Sequence, residues 1–383
     1  MKKQKTLYHI RDISKTIILF LLYFFLCVDL PVPTSATDIH YGDANGDGDI
    51  SAADARIILR VAVGLHSSGE YAIEMDVDGD AVISAADARL VLRYAVGLEN
   101  YFPVELPFSP PEEVQSFSTH IGTHSALLYN MNTNMLLYQK DIDEKTAPAS
   151  LIKLLTALTA LKYCDPDQEF IVGEEIELIG EESSLCLLQK GMRLTLHQLL
   201  YGMCLPSGND AAYCIAANVA HILKKNMTAE QAIQYYVNLM NCEAKKLGMT
   251  NTVIMTPDGY DQEGQFTTTR DLLVLSRAAL QNDLIVEVCS TFRKRITLTD
   301  GRFYIWENTN RFLNPSDRYY DSRVNGLKGG YTDDAGCCLI TSFKQAGNTY
   351  IIIVMGADQF SERYEFTSKL MDQIVSEYKQ SQV

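Results

Sequence analysis

The stretch Ala147-Pro-Ala-Ser-Leu-Ile-Lys153 opens a long apolar segment, and the interpretation of the chain starts from it. The apolar spacing that follows predicts a helix over residues 150–163, entered through the proline. A separation of three residues places the side chains of Ser150 and Lys153 on one helix face. A buried amine near a helix N-terminus loses proton affinity, so Lys153 is a candidate base for a nucleophilic Ser150. The same spacing in Ser376-Glu-Tyr-Lys379 is interpreted as a solvent-exposed face of the last helix.

Two further motifs support a catalytic interpretation. Pro206-Ser207-Gly-Asn209 lies between two predicted helices, where the Ser207 hydroxyl can relay a proton and the Asn209 amide can orient a substrate carbonyl. Gly326-Leu-Lys-Gly-Gly330 precedes the β-rich end of the chain. There Lys328 would add positive charge to a strand edge that can pair with an extended peptide. Taken singly, the two motifs have plainer interpretations as a helix cap and a tight turn.

Predicted strands lie at both ends of the region that follows residue 120. Alternating or β-branched runs predict strands over 125–129 and 135–138, and again over 337–343 and 350–355. Besides the helix that starts at Ser150, helical spacing predicts helices over 196–203, 210–223, 229–247, 269–282 and 362–379. The sequence therefore predicts an α/β fold, in which both ends of the region build one sheet with helices on its two faces.

An internal repeat marks a second, N-terminal module. The sixteen residues from Ile50 recur from Ile83 at an offset of 33, and thirteen of the positions are identical. Each copy follows an acidic stretch, and residues 38–98 hold 11 Asp and Glu against 4 Arg, a net charge of −7. Such a block is either a solvated acidic face or a site for a hard cation. Two copies in the same twelve-residue register favour the cation site.

The register of the two loops identifies candidate calcium ligands. Oxygens at positions 1, 3, 5, 7, 9 and 12 of a twelve-residue loop surround one Ca²⁺. The predicted ligands of two ions are Asp43, Asn45, Asp47, Asp49, Ser51 and Asp54 in the first loop and Asp76, Asp78, Asp80, Val82, Ser84 and Asp87 in the second. At position 6 the first loop has Gly48 and the second has Ala81, so we expect a strained turn and a lower affinity in the second loop.

The remaining segments concern export and linkage. Residues 1–36 combine a basic start, an apolar run of twelve residues over 17–28 and a small-residue end, as in a cleaved signal peptide, although an uncleaved anchor is the alternative. Residues 99–118 contain four prolines and predict a semi-rigid linker to a domain over 119–383. The predicted location is extracellular or at the cell surface. A net charge of −15 argues against nucleic acid as a partner.

In their order and spacing, the three motifs resemble those of the penicillin-recognising serine enzymes. The resemblance is strongest to the low-molecular-mass penicillin-binding proteins, which are serine-type D-alanyl-D-alanine carboxypeptidases. It covers about residues 119–383 and includes Ala244-Lys-Lys-Leu-Gly-Met249 and Asp258-Gly-Tyr-Asp261. It implies an antiparallel five-stranded sheet flanked by helices, as in β-lactamases. It also implies that peptidoglycan stem peptides are the substrates and that β-lactams are covalent inhibitors.

The resemblance also implies roles for individual residues. Ser150 is the nucleophile, Lys153 the base, and Ser207 and Asn209 relay protons and orient the substrate. The implied substrate-binding residues are Lys328, Gly329, Gly330, Tyr331 and Arg363. Among them, Arg363 would bind a carboxylate, and the backbone N–H groups of Ser150 and Tyr331 would form the oxyanion hole.

One residue departs from the family pattern. Gly329 stands where the family usually has threonine, so a hydroxyl expected to contact the terminal carboxylate of the substrate is missing. The missing hydroxyl bears more on the efficiency of carboxypeptidase activity than on the acylation of Ser150.

Three functions follow from these observations. The first is an exported serine D,D-carboxypeptidase that removes terminal D-Ala from stem peptides through an acyl-enzyme. The second is a class A-like β-lactamase, but the Glu-x-x-x-Asn element that such enzymes place between the second and third motifs does not occur in residues 210–325. The third is a non-catalytic protein that binds wall peptides or a scaffold, for which Gly329 is the supporting feature.

The duplicated loops resemble the dockerin family over about residues 40–98. Each loop is followed by one helix that ends in Gly-Leu, as in that family. Dockerins bind cohesin modules on scaffolding proteins of polysaccharide-degrading complexes, so the resemblance implies a cohesin partner that tethers the enzyme. The implied recognition positions are Ala52, Ala53, Arg60, Ala85, Ala86 and Arg93. Because the two copies are nearly identical, the resemblance also implies two binding orientations.

Overall fold

A computed structural model describes residues 41–67, 72–77, 83–96, 98, 110, 122–298 and 301–380. The predicted signal peptide lies outside the described residues, as does the predicted linker apart from Pro110. Three predicted calcium ligands, Asp78, Asp80 and Val82, also lie outside them. Within the described ranges, no helix combines the length and apolar character needed to span a bilayer.

The N-terminal module is helical. Helices α1 (Ala52–Ala62) and α3 (Ala85–Ala95) correspond to the two copies of the repeat, and the short α2 (Ala72–Met75) lies between them in sequence. Ser51 and Ser84 cap the two long helices, each in a reciprocal pair with the aspartate three residues later. The small apolar core consists of Ala44, Ala55, Ile58, Met75, Val77, Ala88 and Val91. The structure thus agrees with the predicted all-α module.

The larger domain is built on a five-stranded antiparallel sheet with the strand order β2-β1-β9-β8-β7. The strands of this sheet are β1 (Ser125–Asn130), β2 (Met135–Lys140), β7 (Val324–Thr332), β8 (Gly336–Gln345) and β9 (Asn348–Ala357). Two small hairpins join β3 (Glu169–Ile171) to β4 (Arg193–Thr195) and β5 (Arg293–Thr297) to β6 (Phe303–Glu307). The prediction of one sheet made from both ends of the region is confirmed.

The helices of this domain follow the predicted positions closely. They are α4 (Lys153–Tyr163), α5 (Leu196–Cys204), α6 (Asn209–Leu223), α7 (Ala229–Leu247), α8 (Thr269–Leu280), α9 (Asp283–Ser290) and α10 (Glu362–Gln380). Short 3₁₀ helices cover Ala149–Ile152, Glu174–Leu178 and Arg311–Leu313. Ser150 was expected to begin an α-helix, but it lies in the first of these tighter turns, and α4 begins at Lys153.

Apolar layers cover both faces of the sheet. Along β9, Ile351, Ile353 and Met355 belong to the core that includes α4 to α8, because successive side chains of a strand point to opposite faces. Ile352 and Val354 belong to the core on the α10 side. All five side chains are fully buried, and each such burial stabilises the fold by about 1.5–3 kcal/mol. The sheet is therefore a rigid middle layer.

Candidate active site

The edge strand β7 runs beside the turn that carries Ser150. A Cβ atom added at Gly330 would lie 2.9 Å from the Cβ of Ala149 and 3.0 Å from the backbone nitrogen of Ser150. Only a residue without a side chain allows this approach without a shift of the turn. Gly329 and Gly330 both lie within β7. The structure thus places them in a strand, and not in the tight turn that is the plainer interpretation of this motif.

Ser150 and Lys153 meet as their spacing predicts. The Nζ atom of Lys153 lies 2.8 Å from the Oγ atom of Ser150. The amine also donates to the carbonyl of Ser207 at 2.8 Å and to Oδ1 of Asn209 at 2.5 Å. Because the Lys153 side chain is fully buried, these contacts hold it in one position.

Ser207 connects the two lysines. It lies in the loop between α5 and α6, and its hydroxyl oxygen is 2.9 Å from Nζ of Lys328 and 3.3 Å from Nζ of Lys153. Lys328 comes from β7 and is also buried. A single hydroxyl group thus links two amines that are 175 positions apart in the sequence, and it can pass a proton between them.

Burial changes the proton affinity of both amines. Burial and, second to it, the positive charge of Lys328 together lower the pKa of Lys153 to about 7, while Asp258 acts in the opposite direction. Burial also lowers the pKa of Lys328, to about 8. A large fraction of Lys153 is therefore neutral near pH 7, as a general base requires.

The Asn209 side chain lines the cleft and forms two hydrogen bonds within the protein. Its Oδ1 atom accepts from Lys153, and its Nδ2 atom donates to Oγ of Ser183 at 2.9 Å. The predicted contact of this amide with a substrate carbonyl would have to replace the bond to Ser183. Ser183 was missed in the sequence because residues 181–184 carry no recognisable motif.

Backbone strain is concentrated at this site. Ala149 and Ser207 adopt left-handed backbone angles, with φ of 46° and 64°. Such angles cost a residue with a side chain about 1–2 kcal/mol each. Gly259 (φ 82°) packs against the first of them, since a Cβ at Gly259 would lie 1.9 Å from the carbonyl oxygen of Ala149. The geometry around the serine is thus enforced by its neighbours.

An open cleft of about 560 Å³ lies in front of these residues. Seven predicted site residues line it: Ser150, Ser207, Asn209, Gly329, Gly330, Tyr331 and Arg363. Lys153 and Lys328 lie behind Ser207. The structure therefore brings all nine predicted residues of the peptidase site together. The cleft is also lined by residues without a predicted role, among them Glu181, Glu182, Ser183, Tyr260, Asp261, Asp333, Asp334 and Phe360.

Arg363 is a buried cation on the wall of the cleft. Its side chain is 7% exposed, and its Nη1 atom donates to the carbonyls of Gly330 at 2.9 Å and Cys338 at 3.2 Å. Within the described part of the chain no carboxylate pairs with it, and its Nε atom has no hydrogen-bond partner. Buried charges in proteins are normally paired, so Arg363 is suited to bind an anion that enters the cleft.

Two buried carboxylates lie in the first predicted calcium loop. Asp43 accepts from the N–H groups of Gly46 and Gly48, and Asp54 accepts from those of Ala44 and Ser51. Both are almost fully buried, and among the described residues neither forms a salt bridge. Ionised carboxylates retain further lone pairs, so this oxygen-only donor set fits a hard cation.

The second loop shows the same arrangement where it is described. Asp87 accepts from the N–H groups of Val77 and Ser84, at 3.0 and 2.8 Å. Considering the described residues alone, no three His, Cys, Asp or Glu side chains converge on one point. Because Asp78, Asp80 and Val82 lie outside the described residues, the ligand set of this loop remains a prediction.

Comparisons with known sequences identify a family for the larger domain. The family model described as D-alanyl-D-alanine carboxypeptidase, Peptidase S11, matches residues 112–359. The D-alanyl-D-alanine carboxypeptidase DacF of Bacillus subtilis is 28% identical over 260 residues, which are 67% of this chain and 62% of that protein. DacA of Escherichia coli is 30% identical over 263 residues, or 66% of this chain and 60% of that protein. The chain thus spans about three fifths of the length of these curated relatives.

Solved structures share the fold of the larger domain. The Streptomyces K15 DD-transpeptidase superposes with a TM-score of 0.61 at 26% identity, covering 67% of this chain and 98% of that one. Penicillin-binding protein D2 from Listeria monocytogenes, solved in the ampicillin-bound form, gives a TM-score of 0.54 at 26% identity with the same coverage. The predicted fold class is confirmed.

The N-terminal repeat also has a match. The family model described as Dockerin type I domain covers residues 41–96, which contain both loops. Both resemblances inferred from the sequence are therefore confirmed. The chain belongs to the D-alanyl-D-alanine carboxypeptidase family, Peptidase S11, and carries a type I dockerin domain on the N-terminal side of its peptidase domain.

Proposed function

We propose that this protein is an exported serine D,D-carboxypeptidase that removes the terminal D-Ala of peptidoglycan stem peptides through an acyl-enzyme. The observation that carries the proposal is the continuous contact from Ser150 through Lys153 and Ser207 to Lys328. It joins a nucleophile, a base of lowered pKa and a proton relay in one buried chain, next to an open cleft.

Acylation would begin at Lys153. Its neutral amine takes the proton from Ser150, whose oxygen attacks the carbonyl carbon of the penultimate D-Ala and forms a tetrahedral intermediate. The peptide C–N bond then breaks, and the proton returns through Ser207 to the departing amine, so that free D-Ala leaves. Backbone N–H groups of Ser150 and Tyr331 would stabilise the oxyanion, because β7 is the outermost strand of the described sheet and runs beside the serine.

In deacylation, a water molecule would take the place of Ser150 as the attacking group. Lys153 takes a proton from the water molecule, whose oxygen attacks the ester carbonyl. The bond between the acyl carbon and the Ser150 oxygen then breaks, Lys153 returns the proton to that oxygen, and the shortened peptide leaves as a carboxylic acid. Arg363 supports the choice of substrate, because it is a buried cation that pairs with no carboxylate among the described residues, and it lines the same cleft. It would hold the carboxylate of the terminal residue until that residue leaves.

The two alternatives have less support. A class A-like β-lactamase needs a glutamate held beside the acyl-enzyme, but Glu181 and Glu182, which line the cleft, are solvent-exposed. A non-catalytic wall-peptide or scaffold binder would not need two amines of lowered pKa around one hydroxyl.

The dockerin domain would tether the enzyme. It would bind two Ca²⁺ ions, one in each loop, with Asp43 and Asp54 among the ligands of the first. A cohesin module on a scaffolding protein would be the partner, which places the enzyme outside the cell or on its surface. This proposal includes cleavage of residues 1–36 as a signal peptide, a linker over 99–118 and a peptidase domain over 119–383.

Release of D-Ala tests the enzymatic proposal. The full chain is incubated with an N-acylated L-Lys-D-Ala-D-Ala peptide, and free D-Ala is measured over time. Release that is lost in Ser150→Ala and kept in Ser376→Ala supports the proposal. Ser376 is the matched control, since it has the same Ser-x-x-Lys spacing but is exposed on α10, where its hydroxyl donates to the carbonyl of Gln373. Absence of release from the unmodified chain would contradict the proposal.

A further inference from the structure

Two exposed aromatic side chains stand at one end of the cleft. Tyr331 is 49% and Phe360 is 55% exposed, and their ring centroids are 5.0 Å apart. Both line the same cleft as Ser150. Aromatic rings that are left open to water in a catalytic cleft favour contact with an apolar group of a ligand.

The alternation of β7 explains what lies beside these rings. Gly330 faces the Ser150 turn, so its neighbours Gly329 and Tyr331 face the other side of the strand. A Cβ atom at Gly329 would lie 3.7 Å from Nη1 of Arg363. Because Gly329 has no side chain, the space beside the arginine that a Cβ atom would occupy stays open.

We call this space the Gly329 notch, and define it by Gly329, Tyr331, Phe360 and Arg363. The guanidinium carbon of Arg363 lies 5.2 Å from the centroid of the Phe360 ring, so the cationic and aromatic walls adjoin. Any residue whose carboxylate pairs with Arg363 places its own side chain near the rings. The methyl group of D-Ala is too small to cover two aromatic rings.

We infer that the Gly329 notch selects stem peptides whose C-terminal residue is a D-amino acid with an apolar or aromatic side chain larger than methyl. This inference rests on the proposed carboxypeptidase function. Burying an aromatic side chain against Tyr331 and Phe360 would add binding free energy to that of the carboxylate contact, which every substrate makes. The four notch residues act as specificity determinants, whereas bond cleavage remains with Ser150 and Lys153.

A panel of substrates tests the inference with the full chain. N-Acylated L-Lys-D-Ala-D-Xaa peptides, with D-Ala, D-Leu or D-Phe as the last residue, are compared by the kcat/KM for release of that residue. The unmodified protein should prefer D-Phe over D-Ala by about fivefold or more, as expected for one aromatic contact and the burial of a larger side chain. Phe360→Ala should reduce this ratio to near one, and Gly329→Thr should reduce it by filling the notch.

Phe303 provides the matched control. It is 51% exposed on β6 and does not line the cleft, so Phe303→Ala should leave the ratio unchanged. Tyr331→Ala is a second test of the same wall if Phe360→Ala does not fold. Equal rates on all three peptides would overturn the inference, and so would a ratio that neither aromatic variant changes. In either case, release of D-Ala still supports the proposed function. If no peptide is cleaved and penicillin does not label Ser150, the proposed function itself fails and this inference fails with it.

Discussion

Lys153 and Lys328 share one hydrogen-bonding partner, the hydroxyl group of Ser207. Their Nζ atoms lie 3.3 and 2.9 Å from its oxygen. Two ammonium groups at such positions repel each other, and the protein removes both from water. The result is a pair of amines that lose their protons near neutral pH, whereas lysine ordinarily titrates near pH 10.5.

The pH dependence of acylation follows from this pair. Below about pH 7, Lys153 is protonated and cannot accept the proton of Ser150, so the rate should fall as the pH falls. Above about pH 8, Lys328 loses its positive charge, so the rate should fall again. The second-order rate constant for penicillin acylation, measured against pH, should therefore be bell-shaped with a maximum between these values.

The variant Lys328→Ala separates the effect of the Lys328 charge on the pKa of Lys153 from the effect of burial on that pKa. Burial is the main cause of the low pKa of Lys153, and the Lys328 charge adds to it. In Lys328→Ala the acidic limb of the profile should therefore move to higher pH. Lys344→Ala removes an exposed lysine of β8 and should leave the limb in place. A limb that stays unchanged in Lys328→Ala would show that the two amines do not interact.

Penicillin should form a stable covalent adduct on Ser150. The β-lactam carbonyl acylates the serine, and the described cleft offers no buried glutamate to activate water for rapid release. Intact mass should show one adduct per chain, and peptide mapping should place it on Ser150. Ser150→Ala should abolish the adduct and Ser376→Ala should keep it. Rapid turnover of the drug would favour the β-lactamase alternative.

Gly329→Thr should raise kcat/KM on D-Ala-D-Ala peptides by about tenfold. A hydrogen bond to a charged group contributes about 1.5–3 kcal/mol, part of which Arg363 already supplies to the substrate carboxylate. The added Cβ would make ordinary contacts of 3.7–3.8 Å with Arg363, Cys338 and Leu339, so the first side-chain carbon fits. Steady-state kinetics on several stem peptides measure the effect. An unchanged or lower rate on every D-Ala-terminated peptide would contradict the prediction.

Gly259→Ala should disrupt the turn that carries the nucleophile. Its new methyl group would lie 1.9 Å from the carbonyl oxygen of Ala149, so the turn must shift. We expect the rate of acylation by penicillin to fall about tenfold or more. The free energy of unfolding should fall by more than the cost of one left-handed residue, which is about 1–2 kcal/mol. Gly264 is the control, since it is also left-handed (φ 86°) but has open space around its Cβ. Equal losses of stability and acylation in both variants would refute a steric role of Gly259.

Residues 38–98 should fold only with calcium. A segment of 61 residues with a net charge of −7 has a small core and strong internal repulsion, so ion binding supplies much of the folding free energy. Circular dichroism of this segment should show helix with Ca²⁺ and lose it with a chelator. High NaCl separates coordination from screening, because it weakens repulsion without supplying a calcium ion. The same helical signal with chelator, or full recovery in NaCl alone, would disprove the prediction.

The hairpin of β5 and β6 and helix α9 escaped sequence analysis for a physical reason. Each strand of the hairpin has one buried residue, Ile296 or Trp306, so no apolar alternation marks it. Helix α9 has eight residues, too few for a clear period. By contrast, helices such as α7 have a long periodic pattern and strands such as β9 have a continuous β-branched run, and their predicted positions agree with the structure.

The sequence by itself determined the features that depend on short separations. Ser150 and Lys153 are three residues apart, and one turn of chain is enough to bring them into contact. The repeat at an offset of 33 likewise determined two helices of the same length, each capped by its own serine. Local backbone geometry sets such distances, so spacing alone reports them.

Only the tertiary structure decided which distant residues share the cleft. Ser183 meets Asn209, Phe360 meets Tyr331, and Gly259 packs under Ala149, although no motif connects these pairs. Ser183 and Gly259 lie in loops, Asn209 begins α6, and Tyr331 lies on β7, so only packing brings the partners together. A contact made by packing depends on the whole fold, because nothing in the short-range order of the chain fixes the distance between segments that are far apart in sequence.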